Sequence, residues 1–312
     1  MKSLAIVIPY FKYEFFDKCL ESLAHQTSKD FKVYIGDDSS PSIPTKILNR
    51  YKGKLDFNYK RFNQNFGSRS LVSHWSRCID MVEDEKWLMI LGDDDKLGTE
   101  CIKDFLESKE EIKKLKISVV RFATIKIDEN DRETSERFTH PERETSVKFL
   151  FRKLKGETRS SLSEYIFLKE VVDNEKFKEL PLAWHTDDLA ILEFSNFGEV
   201  YSINTSTVYF RNSGLNISTL TTNLREKNRA SFMFYYIILK GYSHYFTEKE
   251  KGILFYRLEK TFLNDKKNPK FYLSYFWLRK QSFSLPDTIN FAKKFYYSVK
   301  TGKTMKKITK SE

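Results

Sequence analysis

Hydrophobic residues follow two patterns that alternate along the first two thirds of the chain. Continuous apolar runs, such as residues 4–9 and 87–91, are typical of buried strands, whereas apolar residues spaced three or four apart, as in residues 15–25, are typical of amphipathic helices. The pattern predicts strands over residues 4–9, 31–35, 55–62, 87–91, 117–127, 161–168 and 200–210, and helices over residues 15–25, 45–51, 71–82, 100–115 and 187–195. This alternation predicts an α/β sheet with short connections.

Two segments depart from this alternation. Residues 128–144 are almost wholly polar, which predicts a mobile loop. From residue 223 onward the apolar spacing is helical. We therefore expect two regions, an α/β domain over residues 1–220 and a helical region over residues 221–312.

Composition and cysteine content narrow the class of protein. The 312 residues are 40% hydrophobic and 31% charged with only 11 glycines and 7 prolines, which excludes collagen and low-complexity disorder and is typical of a folded soluble chain. Cys19, Cys78 and Cys101 lack CxxC spacing, so neither a disulfide framework nor a zinc site is indicated. No window approaches the ~20 apolar residues of a membrane span, and Pro9 interrupts the N-terminal apolar run, which favours a strand over a signal peptide. These features predict a cytoplasmic protein.

Nearly all of the net charge of +11 lies at the C-terminal end. Residues 266–312 contain 12 lysines and arginines against Asp287 and Glu312, a net charge of +10, and ten aromatic residues are interleaved with them. Aromatic rings among lysines suit an anionic lipid surface. The alternative is a helical subdomain whose aromatic residues form its core and whose lysines are solvated. The sequence leaves both interpretations open.

An acidic cluster follows the predicted strand at residues 87–91. Asp93, Asp94 and Asp95 stand where open α/β sheets bind ligands, just beyond the end of a strand. Adjacent carboxylates repel and raise one another's pKa unless a cation neutralises them, and their hard oxygen atoms suit Mg²⁺ or Mn²⁺. The alternative is a solvated acidic turn that caps the following helix.

Two further pairs of carboxylates allow similar alternatives. Asp37 and Asp38 follow the strand at 31–35, where they either shape a turn or accept hydrogen bonds from the ring N–H or ribose hydroxyls of a nucleotide. Asp187 and Asp188 begin the helix at 187–195, where they either cap the helix or present a general base.

Taken in order, these segments resemble the family 2 inverting glycosyltransferases, which have the GT-A fold. The resemblance covers residues 3–218 and rests on the order and spacing of its segments. They are IVIPYF at 6–11, SLAHQT at 22–27, DDSS at 37–40, NFG at 65–67, GDDDKL at 92–97, DD at 187–188, and YFR at 209–211 together with Ser218. The resemblance implies a Rossmann-like mixed sheet flanked by helices, with the C-terminal helical region as an extension.

The resemblance also implies an activity. It implies transfer of a sugar, with inversion and with Mn²⁺ or Mg²⁺, from a nucleoside-diphosphate sugar, a UDP-sugar foremost. The acceptor would be a hydroxyl of a glycan or lipid-linked glycan in the synthesis of a surface polysaccharide such as lipopolysaccharide or capsule. Such an enzyme binds no nucleic acid. Its basic C-terminal region would bind the acceptor or attach the protein peripherally to the inner face of the cytoplasmic membrane.

Matching the family's motifs implies roles for individual residues. The nucleotide-sugar pocket is expected to comprise Pro9, Tyr10, Phe11, Asp38, Asn65, Arg69, Asp93 and Asp94, with His74 as a further candidate. Asp94 and Asp95 match the acidic pair that holds the metal, although Gly92 stands where many members carry the first Asp. Asp188 matches the catalytic base, with Asp187 as the alternative. Arg211 and His185 are expected to contact phosphate or acceptor, with an ordinary surface position as the alternative for Arg211.

Two other functions fit parts of the sequence. A GT-A-like nucleotidyltransferase shares the sheet and the acidic metal site, but it needs a basic phosphate-binding loop near the N-terminus, and residues 10–14 contain no glycine. A non-enzymatic nucleic-acid-binding protein would explain the pI of about 9.2, but the positive charge is confined to one end of the chain.

Overall fold

The computed structural model describes residues 2–214, 222–281 and 285–301, and the motif residue Ser218 lies outside these ranges. The chain divides into two compact units. The first comprises Met1–Glu179 and Thr186–Leu220, and the second comprises Leu180–His185 and Thr221–Glu312.

Among the described residues of the first unit, a nine-stranded mixed sheet forms the centre. Its strands are β1 (Leu4–Tyr10), β2 (Phe31–Asp37), β3 (Phe57–Arg61), β4 (Trp87–Ile90), β5 (Lys96–Leu97), β6 (Val119–Ile127), β7 (Arg143–Thr145), β8 (Tyr165–Leu168) and β9 (Glu199–Arg211). Their order is β3-β2-β1-β4-β8-β6-β9-β5, and β7 also pairs with β9. Strands β1 to β4 are parallel, and β8 runs antiparallel between β4 and β6. The carboxyl ends of β1, β2 and β4 therefore meet at one edge of the sheet, beside the start of β8.

Helices accompany the strands in the predicted alternation. Those of the first unit are α1 (Phe16–Ala24), α2 (Thr45–Tyr51), α3 (Leu71–Ile79), α4 (Cys101–Lys114), α5 (Ser146–Lys155), α6 (Lys169–Glu175) and α7 (Thr186–Phe194). Strands β1 and β4 bury side chains on both faces of the sheet, which explains their continuous apolar runs. Cys19, Cys78 and Cys101 are free thiols, as their spacing predicts, and all three are buried. The predicted α/β sheet is confirmed.

The polar segment 128–144 is mostly a loop, as its composition predicts, but backbone hydrogen bonds tie it to the sheet. The segment folds back along β6, where the N–H of Phe138 donates to the carbonyl of Thr124 and the N–H of Thr134 donates to that of Lys126, both at 2.8 Å. Its end continues into β7, which pairs with β9. Backbone hydrogen bonds hold this segment, which has few apolar residues, against β6. Amino-acid composition does not reveal such bonds.

The sequence pattern also did not predict α5. This helix begins after Thr145, whose hydroxyl accepts the N–H of Lys148, and it ends at Gly156, where φ is +81°. The strand predicted over residues 161–168 is shorter than expected, because Leu162–Glu164 form a 3-10 turn capped by Ser161. That turn brings polar side chains to the end of β4.

The second unit is helical, as the apolar spacing predicts. Its main helices are α8 (Leu224–Gly241), α9 (Glu248–Asn264), α10 (Pro269–Gln281) and α11 (Leu285–Thr301). Aromatic rings form the core: the ring centroid of Phe262 lies 5.2 Å from that of Tyr275 and 5.6 Å from that of Phe291. Buried Glu259 accepts hydrogen bonds from the Tyr275 hydroxyl, at 2.9 Å, and from Arg279. None of the helices described in either unit combines the length and apolar content that a bilayer crossing demands.

Candidate active site

Three adjacent carboxylates lie buried where β4 ends. Asp93, Asp94 and Asp95 are each no more than 5% exposed, and residues 92–95 are called the acidic loop below. Burying a charged carboxylate is costly unless it finds hydrogen-bond partners or counter-charges. The partners of each carboxylate therefore decide what the acidic loop can bind.

Asp93 fastens the segment that follows β1 to the acidic loop. One of its oxygens accepts the backbone N–H groups of Phe11 and Lys12, at 2.8 and 2.7 Å. Burial and the neighbouring Asp94 raise the pKa of Asp93 to about 6 in spite of these bonds. Asp93 thus shapes the expected nucleotide pocket, and its direct contact with a donor stays a prediction.

Asp95 ties the acidic loop to two distant segments. Its oxygens accept the hydroxyl of Ser163 and the backbone N–H of Arg211, and burial together with Asp94 raises its pKa to about 7. A Cβ atom at Gly92 would lie 2.9 Å from Oδ2 of Asp95. This close approach explains why glycine occupies the position where the resemblance leads one to expect an Asp.

Asp94 is the carboxylate of the acidic loop that best fits a metal. Its side chain pairs with the ammonium of Lys12 and accepts none of the backbone N–H groups that hold Asp93 and Asp95. Within the described ranges, no three His, Cys, Asp or Glu side chains are grouped to hold a metal ion. One carboxylate is nevertheless enough for Mg²⁺ or Mn²⁺ when water and diphosphate oxygens fill the other positions. Asp94 fits this role better than Asp95, whose two oxygens both have protein donors.

Arg211 braces the acidic loop from the end of β9. The side chain is fully buried, and its guanidinium donates to the carbonyls of Asp94 and Asp128, at 2.9 and 2.6 Å, and to the carboxylate of Asp131. Burial alone would raise the pKa of Asp131, but hydrogen bonds from Arg211 and two lysines lower it to about 2. Arg211 is therefore not a surface residue, and its contact with phosphate stays a prediction.

Asp38 holds the loop that contains the NFG segment. Its oxygens accept the N–H groups of Phe66 and Gly67, at 2.8 and 2.7 Å, and the guanidinium of Arg77. A Cβ atom at Gly67 would lie 2.6 Å from Oδ2 of Asp38, so this contact requires glycine. Burial lowers the pKa of the adjacent His74 to about 4, which keeps its imidazole neutral at pH 7.

The remaining residues expected in the nucleotide pocket have different surroundings. Tyr10 is buried and its hydroxyl donates to a backbone carbonyl of the segment after β2, at 2.6 Å, whereas Pro9 is half-buried. The side chain of Asn65 accepts a backbone N–H within its own turn. Phe11, at 39%, and Arg69 are exposed. Their contacts with a nucleotide stay predictions.

Asp187 and Asp188 lie in the first turn of α7, which confirms their predicted position at a helix start. Asp188 is buried and pairs with the ammonium of Lys153, on α5. Burial lowers the pKa of Lys153, but Asp188 and Asp187 raise it above its usual value. Lys153 is a candidate that the sequence pattern did not reveal, since its helix was missed. The available signal was Thr145 before the helix and Gly156 after it.

His185 belongs to the second unit. Its Nε2 atom lies 3.0 Å from the hydroxyl of Ser231, and its ring stacks on that of Phe234 with centroids 4.8 Å apart. A contact of His185 with phosphate or acceptor stays a prediction.

Solved structures of glycosyltransferases share this architecture. Residues 1–349 of S. aureus TarS, solved in complex with UDP-GlcNAc, match with a TM-score of 0.61 at 18% identity, over 95% of this chain and 80% of that one. The mannosyltransferase PcManGT from Pyrobaculum calidifontis, solved with GDP-Man and Mn²⁺, matches with a TM-score of 0.55 at 8% identity, over 95% and 80% of the two chains. No curated protein matches the sequence. At these identities the likeness shows the fold.

The mixed sheet and the helices that flank it have the GT-A architecture of these neighbours. Residues 5–170, more than half of the chain, match the sequence model described as Glycosyl transferase family 2. The chain therefore belongs to glycosyl transferase family 2. The predicted family, fold and class of enzyme are confirmed.

Proposed function

We propose that the protein is a metal-dependent, inverting glycosyltransferase whose donor is a nucleoside-diphosphate sugar, with a UDP-sugar as the first candidate. The acidic loop is the main support for this proposal. Asp93 and Asp95 accept backbone N–H groups and thereby fix the loop, whereas the side chain of Asp94 accepts none of these groups. Asp94 lies at the edge of the sheet where β1, β2 and β4 end. TarS was solved with UDP and with UDP-GlcNAc, and PcManGT with GDP-Man and Mn²⁺, which supports a nucleotide-sugar donor.

Each residue of the acidic loop has a separate task in this proposal. Asp94 would hold a Mn²⁺ or Mg²⁺ ion, which supplies Lewis-acid neutralisation of the leaving diphosphate. Asp93 sets the position of the segment after β1, where Phe11 is exposed, and Asp95 anchors the loop to Ser163 and Arg211. The nucleotide would bind beside these segments, at the residues that the family motifs indicate.

We assign Asp188 as the general base, with Asp187 as the alternative. The ammonium of Lys153 provides a counter-charge for the buried carboxylate of Asp188, and a carboxylate can accept a proton as a general base. The acceptor hydroxyl gives its proton to Asp188 as its oxygen bonds to the anomeric carbon. The bond between that carbon and the diphosphate oxygen breaks with its electron pair on the diphosphate. Attack opposite the leaving group inverts the anomeric configuration.

Calorimetric titration tests the donor and the metal. We expect UDP to bind more tightly than GDP, and to bind only with Mn²⁺ or Mg²⁺ present. The rate at which the enzyme releases UDP from a UDP-sugar then tests the base. Asp188→Asn should bind UDP as wild type does and release it at least ~100-fold more slowly, because a positioned general base contributes at least that much.

Asp187→Asn is the matched control for the base. Loss of activity in Asp187→Asn with activity retained in Asp188→Asn would move the base by one residue. UDP binding that is indifferent to divalent cations would contradict the proposed metal dependence.

For the second unit we propose attachment to an anionic membrane, where the enzyme would glycosylate a lipid-linked glycan of a surface polysaccharide such as lipopolysaccharide or capsule. The aromatic residues of α10 and α11 divide into two sets. Phe271, Tyr275 and Phe291 are buried, whereas Phe276 and Tyr296 are 55% and 67% exposed. Some aromatic rings of the basic segment therefore form a core, as in a helical subdomain. Others are exposed, which supports contact with a membrane.

The outward faces of α10 and α11 mix apolar and basic side chains. The exposed apolar residues are Leu273, Phe276 and Trp277 on α10 and Ile289, Tyr296, Tyr297 and Val299 on α11. The exposed lysines of the same two helices are Lys270, Lys280, Lys293 and Lys300. Apolar side chains that enter the headgroup region, and lysines that meet anionic lipids at about 1 kcal/mol each, suit reversible attachment.

Co-sedimentation with vesicles tests this attachment. We expect recovery with phosphatidylglycerol vesicles and not with phosphatidylcholine vesicles, and loss at 1 M salt, where the Debye length falls from about 10 Å to about 3 Å. Leu273→Ser/Phe276→Ser should weaken recovery without unfolding, since both side chains are exposed. Truncation after Asp265 is a poorer test, because it deletes Tyr275 from the core. Equal recovery with both lipids, or with neither, would refute the attachment.

A further inference from the structure

Lys12 places a positive charge within the acidic loop. Its backbone N–H donates to Asp93 at 2.7 Å, so its position follows from the same contact that holds the segment after β1. Its ammonium pairs with Asp94 and lies 3.9 Å from the second oxygen of Asp93. The carboxylate that best fits a metal therefore already has a cation beside it.

Two arginines near the acidic loop, Arg211 and Arg159, are held by several partners each. The Arg211 guanidinium is fully buried and donates to two backbone carbonyls and to Asp131. The Arg159 guanidinium lies over the ring of Phe210 and donates to Thr124 and Glu164. Lys12 differs, because its side chain is 29% exposed and its four-carbon stem is flexible. Its ammonium can change partners while its backbone stays in place.

We propose that Lys12 is an exchangeable counter-cation: it neutralises Asp94 in the free protein, leaves Asp94 when a divalent cation binds there, and then pairs with an oxygen of the nucleoside diphosphate. The inference rests on the proposed function, since it takes Asp94 as the metal ligand. An ammonium and a divalent cation repel each other at one carboxylate, and an ammonium beside a diphosphate makes charge-assisted hydrogen bonds. Lys12 thereby opposes metal binding alone and favours binding of the nucleotide.

This exchange predicts effects of opposite sign for one substitution. Lys12→Met keeps the length of the side chain and removes the charge. Mn²⁺ alone should bind Lys12→Met about tenfold more tightly than wild type, because the competing cation is gone. UDP, titrated at saturating Mn²⁺, should bind about tenfold more weakly, because one charge-assisted contact is lost. A residue that only holds the fold would weaken both.

The experiment measures free Mn²⁺ by its electron paramagnetic resonance signal, and UDP affinity by calorimetry at saturating Mn²⁺. Lys18→Met is the matched control, because Lys18 pairs with Asp131 instead of the acidic-loop carboxylates, and it should leave both affinities near those of wild type. Lys12→Arg keeps the charge and should bind Mn²⁺ alone no more tightly than wild type. Thermal unfolding of each variant checks that it is folded.

The outcomes separate the exchange from the proposed function. Metal-dependent UDP binding by wild type, with Mn²⁺ affinity unchanged or reduced in Lys12→Met, would overturn the exchange and leave the glycosyltransferase proposal standing. Unchanged UDP affinity in Lys12→Met would overturn the contact with the diphosphate. Failure of wild type and Lys12→Met alike to bind Mn²⁺ would overturn the exchange together with the assignment of Asp94.

Discussion

The stability of the first unit should depend on pH through its buried histidines, of which His140 has the more strongly lowered pKa. His140 is 6% exposed, and its Nδ1 atom lies 3.0 Å from the guanidinium of Arg152. Burial, followed by the positive charges of Arg121, Arg152 and Arg159, lowers its pKa from 6.5 to about 3. The folded protein therefore keeps His140 neutral over a pH range in which the unfolded chain protonates it.

The sign and the size of the effect follow from this difference. Between pH 6.5 and 3 the unfolded chain binds more protons at His140 than the folded chain, so the free energy of unfolding falls as the pH falls. Each pH unit inside this window costs about 1.4 kcal/mol. Acidification from pH 7 to pH 5 should therefore remove about 2 kcal/mol through His140. The raised pKa values of Asp93 and Asp95 increase the free energy of unfolding as the pH falls. This contribution is the same in wild type and in a variant of His140, so it cancels when the two are compared.

Denaturant unfolding at pH 7 and pH 5 measures this contribution. His140→Gln retains an acceptor for Arg152 and removes the titrating group, so it should lose about 2 kcal/mol less than wild type between the two pH values. His25→Gln, which removes an exposed histidine, is the control and should follow wild type. An equal loss in wild type and His140→Gln would refute the inference that the buried His140 stays neutral.

Two further comparisons test the acidic loop and the packing of α3 against β2. Asp94→Asn should abolish Mn²⁺-dependent UDP binding with little change in the melting temperature. Asp95→Ala should lower the free energy of unfolding by about 1–3 kcal/mol, because the buried donors of Ser163 and Arg211 lose their acceptor. Equal melting temperatures would count against the bracing role of Asp95. Gly36→Ala should cost at least about 1–3 kcal/mol in chemical denaturation, because its Cβ atom would lie 2.2 Å from Sγ of Cys78, and adding Cys78→Ala should restore part of the loss.

The parts of the fold that the sequence predicts are those in which local pattern and tertiary packing agree. Strands β1 and β4 are buried on both faces, so their apolar runs are continuous, and the carboxylates that follow β4 come to the expected edge. The pairing of segment 128–144 with β6 was not predicted, because backbone hydrogen bonds leave no apolar signature in the sequence. Helix α5 was missed although Thr145 and Gly156 mark its two ends.

The sequence names candidate residues for the site but not the side chains that surround them. The motif order identifies Asp94 and Asp188, but it does not reveal the cations that pair with them. Lys12 and Lys153 reach these carboxylates from segments 82 and 35 positions away in sequence. Arg211 was expected at the surface or at a phosphate, whereas the sheet buries it against the backbone of the acidic loop. Such pairings arise from topology, and neither periodicity nor composition encodes them directly.

The position of β9 at the end of the first unit determines when, during synthesis of the chain, Arg211 can contact the acidic loop. The backbone N–H of Arg211 reaches Asp95 across 116 positions of the chain. At about 5–20 residues per second, the ribosome takes roughly 6 to 23 seconds to travel from one residue to the other. Throughout that interval the nascent chain carries the three carboxylates without the arginine that braces them, so they stay hydrated. The acidic loop therefore gains this bracing contact only when nearly all of the first unit has been synthesised.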